Sequence, residues 1–328
     1  MALDFIAVGD TTIDDFIRLK EASVHCDIDS ENCTISMRWG DKIPFESSTI
    51  VYGVGNAANA AVSAKRLGLS TGFVSNVGAD ERGELIIKSF QEQEIDATEI
   101  RKHPGVPTNY HYVLSYESER TILIKHEKFA YSFPMHLEPP KALYLSSLGE
   151  HTEAYHDEIA EYAEKHPDMF LAFQPGSFQM RLGVERLSRL YKRANFVVLN
   201  KQEAQFVLGS KSDDVRDLMD GMLALGPKIV AVTDGRNGAH ATDGTSYFRV
   251  PLYPDPRPPK ERTGAGDAFA STVTVALLYG KPLSEALLWG PVNSMSVVQK
   301  VGAQEGLLTK DALLTYIERA PDYKATPF

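Results

Sequence analysis

The chain has 328 residues, 43% hydrophobic and 24% charged, with a formal net charge of −10. An acidic chain without a basic field does not recruit nucleic-acid backbones or anionic lipid surfaces, so those functions are excluded. No apolar run reaches membrane-span length, residues 1–10 lack signal-peptide character, and Cys26 and Cys33 are the only cysteines, so a reducing, cytoplasmic setting without structural zinc is expected.

In chain order, residues 5–9 (FIAVG) read as a buried strand. Residues 16–51 alternate and are turn-rich, with no good helix. A helix over 59–67 is stopped by Gly68. A strand over 71–77 and a helix over 83–93 follow. Residues 109–125 alternate strongly, with Tyr110, Tyr112, Leu114 and Tyr116 ahead of a turn at 117–120 and Thr121-Ile122-Leu123-Ile124 beyond it. Then come a strand over 141–146, a helix over 153–165, and strands over 169–173 and 196–199. A helix over 201–208 closed by Gly209, a strand over 228–233, and helices over 268–279, 283–298 and 310–319 complete the chain.

This alternation predicts an α/β fold, a mostly parallel sheet flanked by helices. The two irregular stretches predict a small antiparallel β-sheet serving as a lid over the substrate, with 16–51 and 109–125 as its parts. Residues 1–15, 52–108 and 126–328 then form one large domain that binds nucleotide and substrate. The exposed strand edges of a lid need covering, and pairing with a second copy predicts a homodimer.

The most informative motif is Gly264-Ala265-Gly266-Asp267. Two glycines turn the backbone sharply, and the helix start that follows adds unpaired N–H donors and the positive dipole end. That is an anion socket. Asp267 repels a phosphate, so it is either a base that takes a proton from an attacking hydroxyl or an ordinary helix-start acid.

Weaker motifs stand around it. Gly53 to Ala58 fits G-x-G-x-x-[GA], which suits a dinucleotide, a close approach of Gly55 and Asn59 to a polyol, or plain strand–helix packing. Asn200-x-x-Glu203 at a strand end suits magnesium waters and phosphate, or a capping box. Thr233 and Gly235 begin a turn suited to a hairpin or to nucleotide contacts. Asp14, with Asp10 and Thr12 nearby, suits hydroxyl recognition or a solvated surface.

Taken together, these segments resemble the ribokinase/PfkB carbohydrate kinase family. Residues 54–83 resemble its first signature, 263–269 (TGAGDAF) its second, Asn200-x-x-Glu203 its N-x-x-E motif, and Val301-Gly302-Ala303-Gln304 a late cation and nucleotide loop. The resemblance implies a ribokinase-like three-layer α/β/α sandwich with a β-lid, and ATP-dependent phosphorylation of an alcohol on a sugar or nucleoside. Asp267 would be the base, with the N–H groups of Gly264, Ala265 and Gly266 holding transition-state charge. Asn200 and Glu203 would serve phosphate and Mg²⁺, the latter through water. Thr233 and Gly235 would touch ATP, and Asn293 would line the base pocket. Asp14, Gly55 and Asn59 would bind substrate hydroxyls, and K⁺ would sit among loop carbonyls. Three departures turn away from strict ribokinase specificity: Val54-Gly55 for Gly-Gly, Glu261-Arg262 for Asp-Thr, and Thr12 for Asn. The alternatives are an NAD(P)-linked oxidoreductase using the Gly53 turn and a non-catalytic nucleotide sensor.

Overall fold

A computed structural model describes residues 2–26, 33–117 and 119–328. β1 (Phe5–Val8) is buried throughout and leads through Gly9 and Asp10 into β2 (Thr12–Leu19), which leaves the main sheet. β3 (Ser23–Cys26) and β4 (Cys33–Ser36) form a hairpin, and β5 (Phe45–Val54) runs back along β2. The chain re-enters the main body through α1 (Asn56–Arg66), β6 (Thr71–Gly78), α2 (Glu81–Glu92) and β7 (Ile100–His103). β8 (Tyr110–Tyr116) and β9 (Glu119–Leu123) make a second excursion.

The rest alternates: β10 (Ala142–Leu145), α3 (Glu153–Lys165), β11 (Phe170–Phe173), α4 (Ser177–Leu182), α5 (Ser188–Arg193), β12 (Phe196–Asn200), α6 (Lys201–Leu208), α7 (Val215–Leu223) and β13 (Ile229–Thr233). β14 (Ala239–Thr242) and β15 (Tyr247–Val250) form a hairpin. α8 (Ala265–Leu278), α9 (Leu283–Val297), α10 (Lys310–Glu318) and the short β16 (Thr326–Pro327) end the chain.

Among the described residues the large sheet has the order β16-β15-β14-β13-β12-β11-β10-β1-β6-β7. From β13 to β7 every pair is parallel, and β14 to β16 add an antiparallel edge. Central strands buried on both faces need continuous apolar runs, which FIAV, ALYL and FLAF supply. The period-2 pleat divides them. Phe5 and Ala7 join Ala57, Ala60, Phe269 and Trp289 under α1, α8 and α9. Ile6 and Val8 join Ile159, Tyr162, Leu190 and Met219 under α3, α5 and α7. The result is a three-layer α/β/α sandwich.

The small sheet has the order β5-β2-β8-β9. Its outer pairs are antiparallel, but β2 and β8 run parallel, because both leave the main body outward after parallel strands. Its pairing begins at Thr12, so the domain boundary expected after residue 15 falls inside β2. Alternation sorts its faces: Asp14, Phe16, His111 and Val113 look inward, while Asp15, Tyr112, Ile50 and Leu123 form a cross-strand row outside.

One sequence inference needs correction. The cysteine count suggested a reducing compartment, yet Cys26 and Cys33 are joined in a disulfide, because the β3–β4 register sets them directly opposite each other. Cysteine number alone carries no register information. No helix among the described residues is long and apolar enough to cross a membrane.

Candidate active site

The C-terminal ends of β1, β10, β11, β12 and β13 lie side by side, and each is followed by or ends in a polar residue: Asp10, Ser146, Gln174, Asn200 and Thr233. Crevices at such strand ends are where open α/β sheets take ligands. The N-termini of α1 and α8 close the crevice from the side, and the small sheet roofs it. A cavity of about 460 Å³ results, lined by Asp10, Asp14, Asn59, His111, His126 and Asp267 among others.

Asp267 sits in the first turn of α8, which begins at Ala265 rather than at Ala268 as the sequence suggested. Gly264 precedes it with φ +78°, and a side chain there would come within 2.7 Å of the Ala303 Cα, so only glycine fits. The Ser294 hydroxyl donates to the Ala265 carbonyl at 2.7 Å and fixes the turn from α9.

The Asp267 carboxylate is buried, and both of its oxygens accept hydrogen bonds, with a lone pair of Oδ2 left free. Asn56 Nδ2 donates to Oδ1 at 2.9 Å, Gln174 Nε2 to Oδ1 at 3.1 Å, and Asn59 Nδ2 to Oδ2 at 2.8 Å. Burial pushes its pKa above the usual carboxylate range, while the Asn59, Gln174 and Asn56 donors pull it back. Gln174 is itself aimed, because the Tyr144 hydroxyl donates to its Oε1 at 2.6 Å and so turns its amide nitrogen to Asp267. Asn59, expected at substrate hydroxyls, spends both ends inside the protein: Nδ2 on Asp267, and Oδ1 accepting from Gln304 Nε2 at 3.1 Å. Gln304 also donates to the Gly53 carbonyl at 2.8 Å, tying the late loop to the β5–α1 turn.

The other end of the cavity differs. Asp14 and His111 are register partners on β2 and β8, with Asp14 Oδ1 3.3 Å from His111 Nδ1. The alignment is too poor for a hydrogen bond, so Asp14 Oδ1 is buried without one; His111 Nε2 and His126 Nδ1 are likewise buried without a hydrogen bond, the latter 3.9 Å from Asp10 Oδ2. Thr263 Oγ1, beside the GAGD turn, is unpartnered too. Asp10 is held by the Tyr131 hydroxyl, 2.9 Å from both oxygens, and by the Gly149 N–H at 2.7 Å. Burial outweighs these bonds and raises its pKa to about 6.

Asn200 and Glu203 form both bonds of a capping box, each 2.8 Å long, at the start of α6. Burial and then the Asp267 charge raise the Glu203 pKa, so the two acids share one electrostatic field. Asn200 is the register partner of Thr233. Gly235 opens a single 3-10 turn into β14, so residues 233–239 make a hairpin, and Gly235 has open space around it.

Asn293 is a correction. It is fully buried, its Nδ2 donates to Thr272 Oγ1 at 2.8 Å, and its Oδ1 accepts from the Leu308 N–H at 2.9 Å. Its amide is turned inward between α8, α9 and the chain before α10, with no exposed surface for a base. The dinucleotide reading of Gly53 to Ala58 fails as well, because Gly53 and Val54 end a strand of the small sheet, not of the parallel sheet. Gly55, with φ +122°, lets the start of α1 approach Asp10, whose carbonyl a side chain would meet at 2.8 Å.

Residues 21–310 match the family model for pfkB family carbohydrate kinase. The chain belongs to the PfkB family. It is a carbohydrate kinase, a phosphotransferase with an alcohol acceptor. The PfkB assignment is supported by an ATP-dependent 6-phosphofructokinase from Thermoanaerobacterium thermosaccharolyticum, 26% identical over 82% of this chain and 85% of that protein. A ribokinase from Haemophilus influenzae is 26% identical over 86% of this chain and 92% of its own length. The PfkB fold is likewise that of Arabidopsis thaliana ribokinase, solved with ribose and ATP: TM-score 0.79 at 18% identity, over 97% of this chain and 99% of that one.

Sequence reasoning missed Asn56, Gln174, His111 and His126. Asn56 was hidden in the G-x-G-x-x-[GA] reading. Gln174 follows β11 with no motif around it. The histidines carried no spacing signal, since the fold brings them together.

Proposed function

We propose that the chain transfers the γ-phosphate of ATP to a hydroxyl of a sugar or sugar-like substrate, with Asp267 as the base. The observation that carries this reading is the buried Asp267 carboxylate, oriented by three amides at a helix start on the floor of an open cavity. A hydroxyl in that cavity can donate to Asp267, lose its proton as it attacks, and leave the N–H groups of Gly264, Ala265 and Gly266 to hold the developing charge. The raised pKa makes Asp267 a stronger proton acceptor than a surface acid.

ATP would lie along the ends of β12 and β13, past Asn200, Thr233 and Gly235. Mg²⁺ fits as an ion held mainly by phosphates and water, because one Glu203 oxygen already caps α6 and no cluster of three acidic, histidine or cysteine ligands occurs among the described residues. When bound it neutralises phosphate charge. Glu203 orients its water. Glu261, bonded to the Gly302 N–H, is the acid beside the loop proposed for K⁺. Asp14 and Gly55 belong to the substrate side. The small sheet is the proposed lid, and its outer row with exposed Ile50, Tyr112 and Leu123 favours a homodimer through the lid.

The test is ADP formation with MgATP over ribose, fructose, 2-keto-3-deoxygluconate, sugar phosphates and nucleosides. Stoichiometric ADP and phosphorylated product with one class supports the reading. ADP release unaffected by every acceptor would overturn it.

A further inference from the structure

The substrate must also satisfy the end of the cavity away from Asp267, and three observations there converge. The first is charge. Asp10, Asp14 and Asp267 all line the cavity, and the one full cation among its lining residues is Arg181. Arg181 is 57% exposed and 4.0 Å from Glu150, which already offsets it. His126 stays neutral near pH 7, because burial and then the neighbouring His111 ring lower its pKa to about 4. A phosphate or carboxylate on the substrate would therefore enter a net negative field.

The second is shape. The Phe178 ring carries the Arg181 guanidinium 4.4 Å above its centre, and His126 meets Phe178 edge-on at 5.7 Å. His111 lies 5.2 Å beyond His126. Ile122 and Ile124 face this row from the lid, and Ile124 is 62% exposed. A guanidinium–phenyl stack walled by aliphatic groups is a platform for a planar ring. The third is unfilled hydrogen bonding: Asp14 Oδ1, His111 Nε2 and His126 Nδ1 make no hydrogen bond within the protein, although His111 Nδ1 and Asp10 Oδ2 stand 3.3 and 3.9 Å from the first and last of them. A polyol with a nitrogenous ring supplies donors and acceptors for all three.

Resting on the kinase reading above, we propose that this end is a subsite for the planar ring of an uncharged N-glycoside, and that the substrate is a nucleoside rather than a sugar phosphate or sugar acid. The ribose hydroxyls point to Asp14 and Asp267, and the ring lies against Phe178 and Arg181 under Ile122 and Ile124.

Calorimetry on the whole protein tests this, with adenosine, guanosine, cytidine and uridine against ribose, fructose 6-phosphate and gluconate. At least one nucleoside should bind about tenfold or more tighter than ribose, as stacking predicts, and both anions more weakly than ribose. Phe178→Ala should erase the nucleoside advantage and leave ribose binding unchanged; Phe178→Leu, which keeps bulk, should keep part of it. Tighter binding of fructose 6-phosphate or gluconate, nucleosides no tighter than ribose, or equal losses for ribose and nucleoside in Phe178→Ala would each overturn the subsite. ADP formation is scored separately. Asp267-dependent turnover of a sugar acid sinks the subsite and keeps the kinase, whereas nucleoside binding with no ADP formation from any acceptor does the reverse.

Discussion

The two ends of the cavity are built in opposite ways. At the GAGD end, both oxygens of Asp267 are bonded, its partner Gln174 is fixed by Tyr144, and the turn is fixed by Ser294. At the lid end, Asp14, His111 and His126 each bury an atom that makes no hydrogen bond within the protein. Apart from the unbonded Thr263 Oγ1, the first end is finished in the folded chain, so its geometry is set before any ligand arrives. The second is left for the ligand to finish, so its cost in unpaired polar atoms is relieved only on binding. In the proposed reading, chemistry sits at the start of α8 in the large domain, and recognition sits partly on lid strands.

That contrast predicts how each end responds to a small change. The largest loss is expected from Gly264→Ala. A β-carbon at φ +78° meets Ala303 and shifts the N–H groups that hold charge, so kcat should fall roughly 10²-fold or more with a normal substrate KM. Steady-state kinetics check it, and a normal kcat would show that the finished end is not so finished. Asp14→Asn should act the other way. The shape survives but the charged acceptor is gone, so KM should rise about 10- to 100-fold with kcat within about threefold. An equal fall in kcat would move Asp14 into the chemistry.

Glu203→Gln sharpens the boundary between capping and metal work. Gln can still accept from the Asn200 N–H, so α6 should keep its cap. The Mg²⁺ concentration for half-maximal rate should rise about tenfold while sugar KM stays put. Unchanged Mg²⁺ dependence would reduce the motif to its capping box.

A fourth effect concerns stability rather than rate. Burial lifts Asp10 from 3.8 to about 6, so the folded state binds its proton more tightly than the unfolded state. Its contribution therefore grows as pH falls from above 6 toward 4, by up to about 3 kcal/mol. His126, lowered to about 4, works oppositely as pH falls from 6.5. Comparing wild type with Asp10→Asn isolates the first group: the wild type should gain stability relative to the variant between pH 7 and 5 in denaturant titrations. A pH-independent difference would contradict the burial assigned to Asp10.

Residues near one another in sequence were the legible part of this molecule. GAGD, Asn200-x-x-Glu203 and the apolar strands declare themselves locally, and the helices over 153–165 and 201–208 fall where expected. The mostly parallel sheet and the separate small sheet also followed from alternation, whereas the strand order did not. What stayed hidden depended on register and distance. The Cys26–Cys33 pair, the Asp14–His111 pairing and the meeting of Asn56, Gln174 and Asp267 arise from strand pairing and from segments separated by up to 211 residues. Asn293 misled because a polar residue in a helix looks the same in sequence whether it faces a ligand or, as here, bonds Thr272 inside the core. The hairpin after β13 was ambiguous because glycines serve turns and nucleotides alike.

The measurement that tests the central claim most directly is kcat of Asp267→Asn, taken with the ATP dissociation constant and the melting temperature. Asn keeps the volume and can still accept from part of the Asn56, Asn59 and Gln174 set, so the variant should fold, with Tm lowered by no more than several degrees. Its amide cannot accept the hydroxyl proton. The account predicts a kcat reduced roughly 10²- to 10⁴-fold with ATP binding nearly unchanged. A folded variant that keeps more than about a tenth of wild-type kcat would contradict the base assignment, since even a modest base effect exceeds that loss.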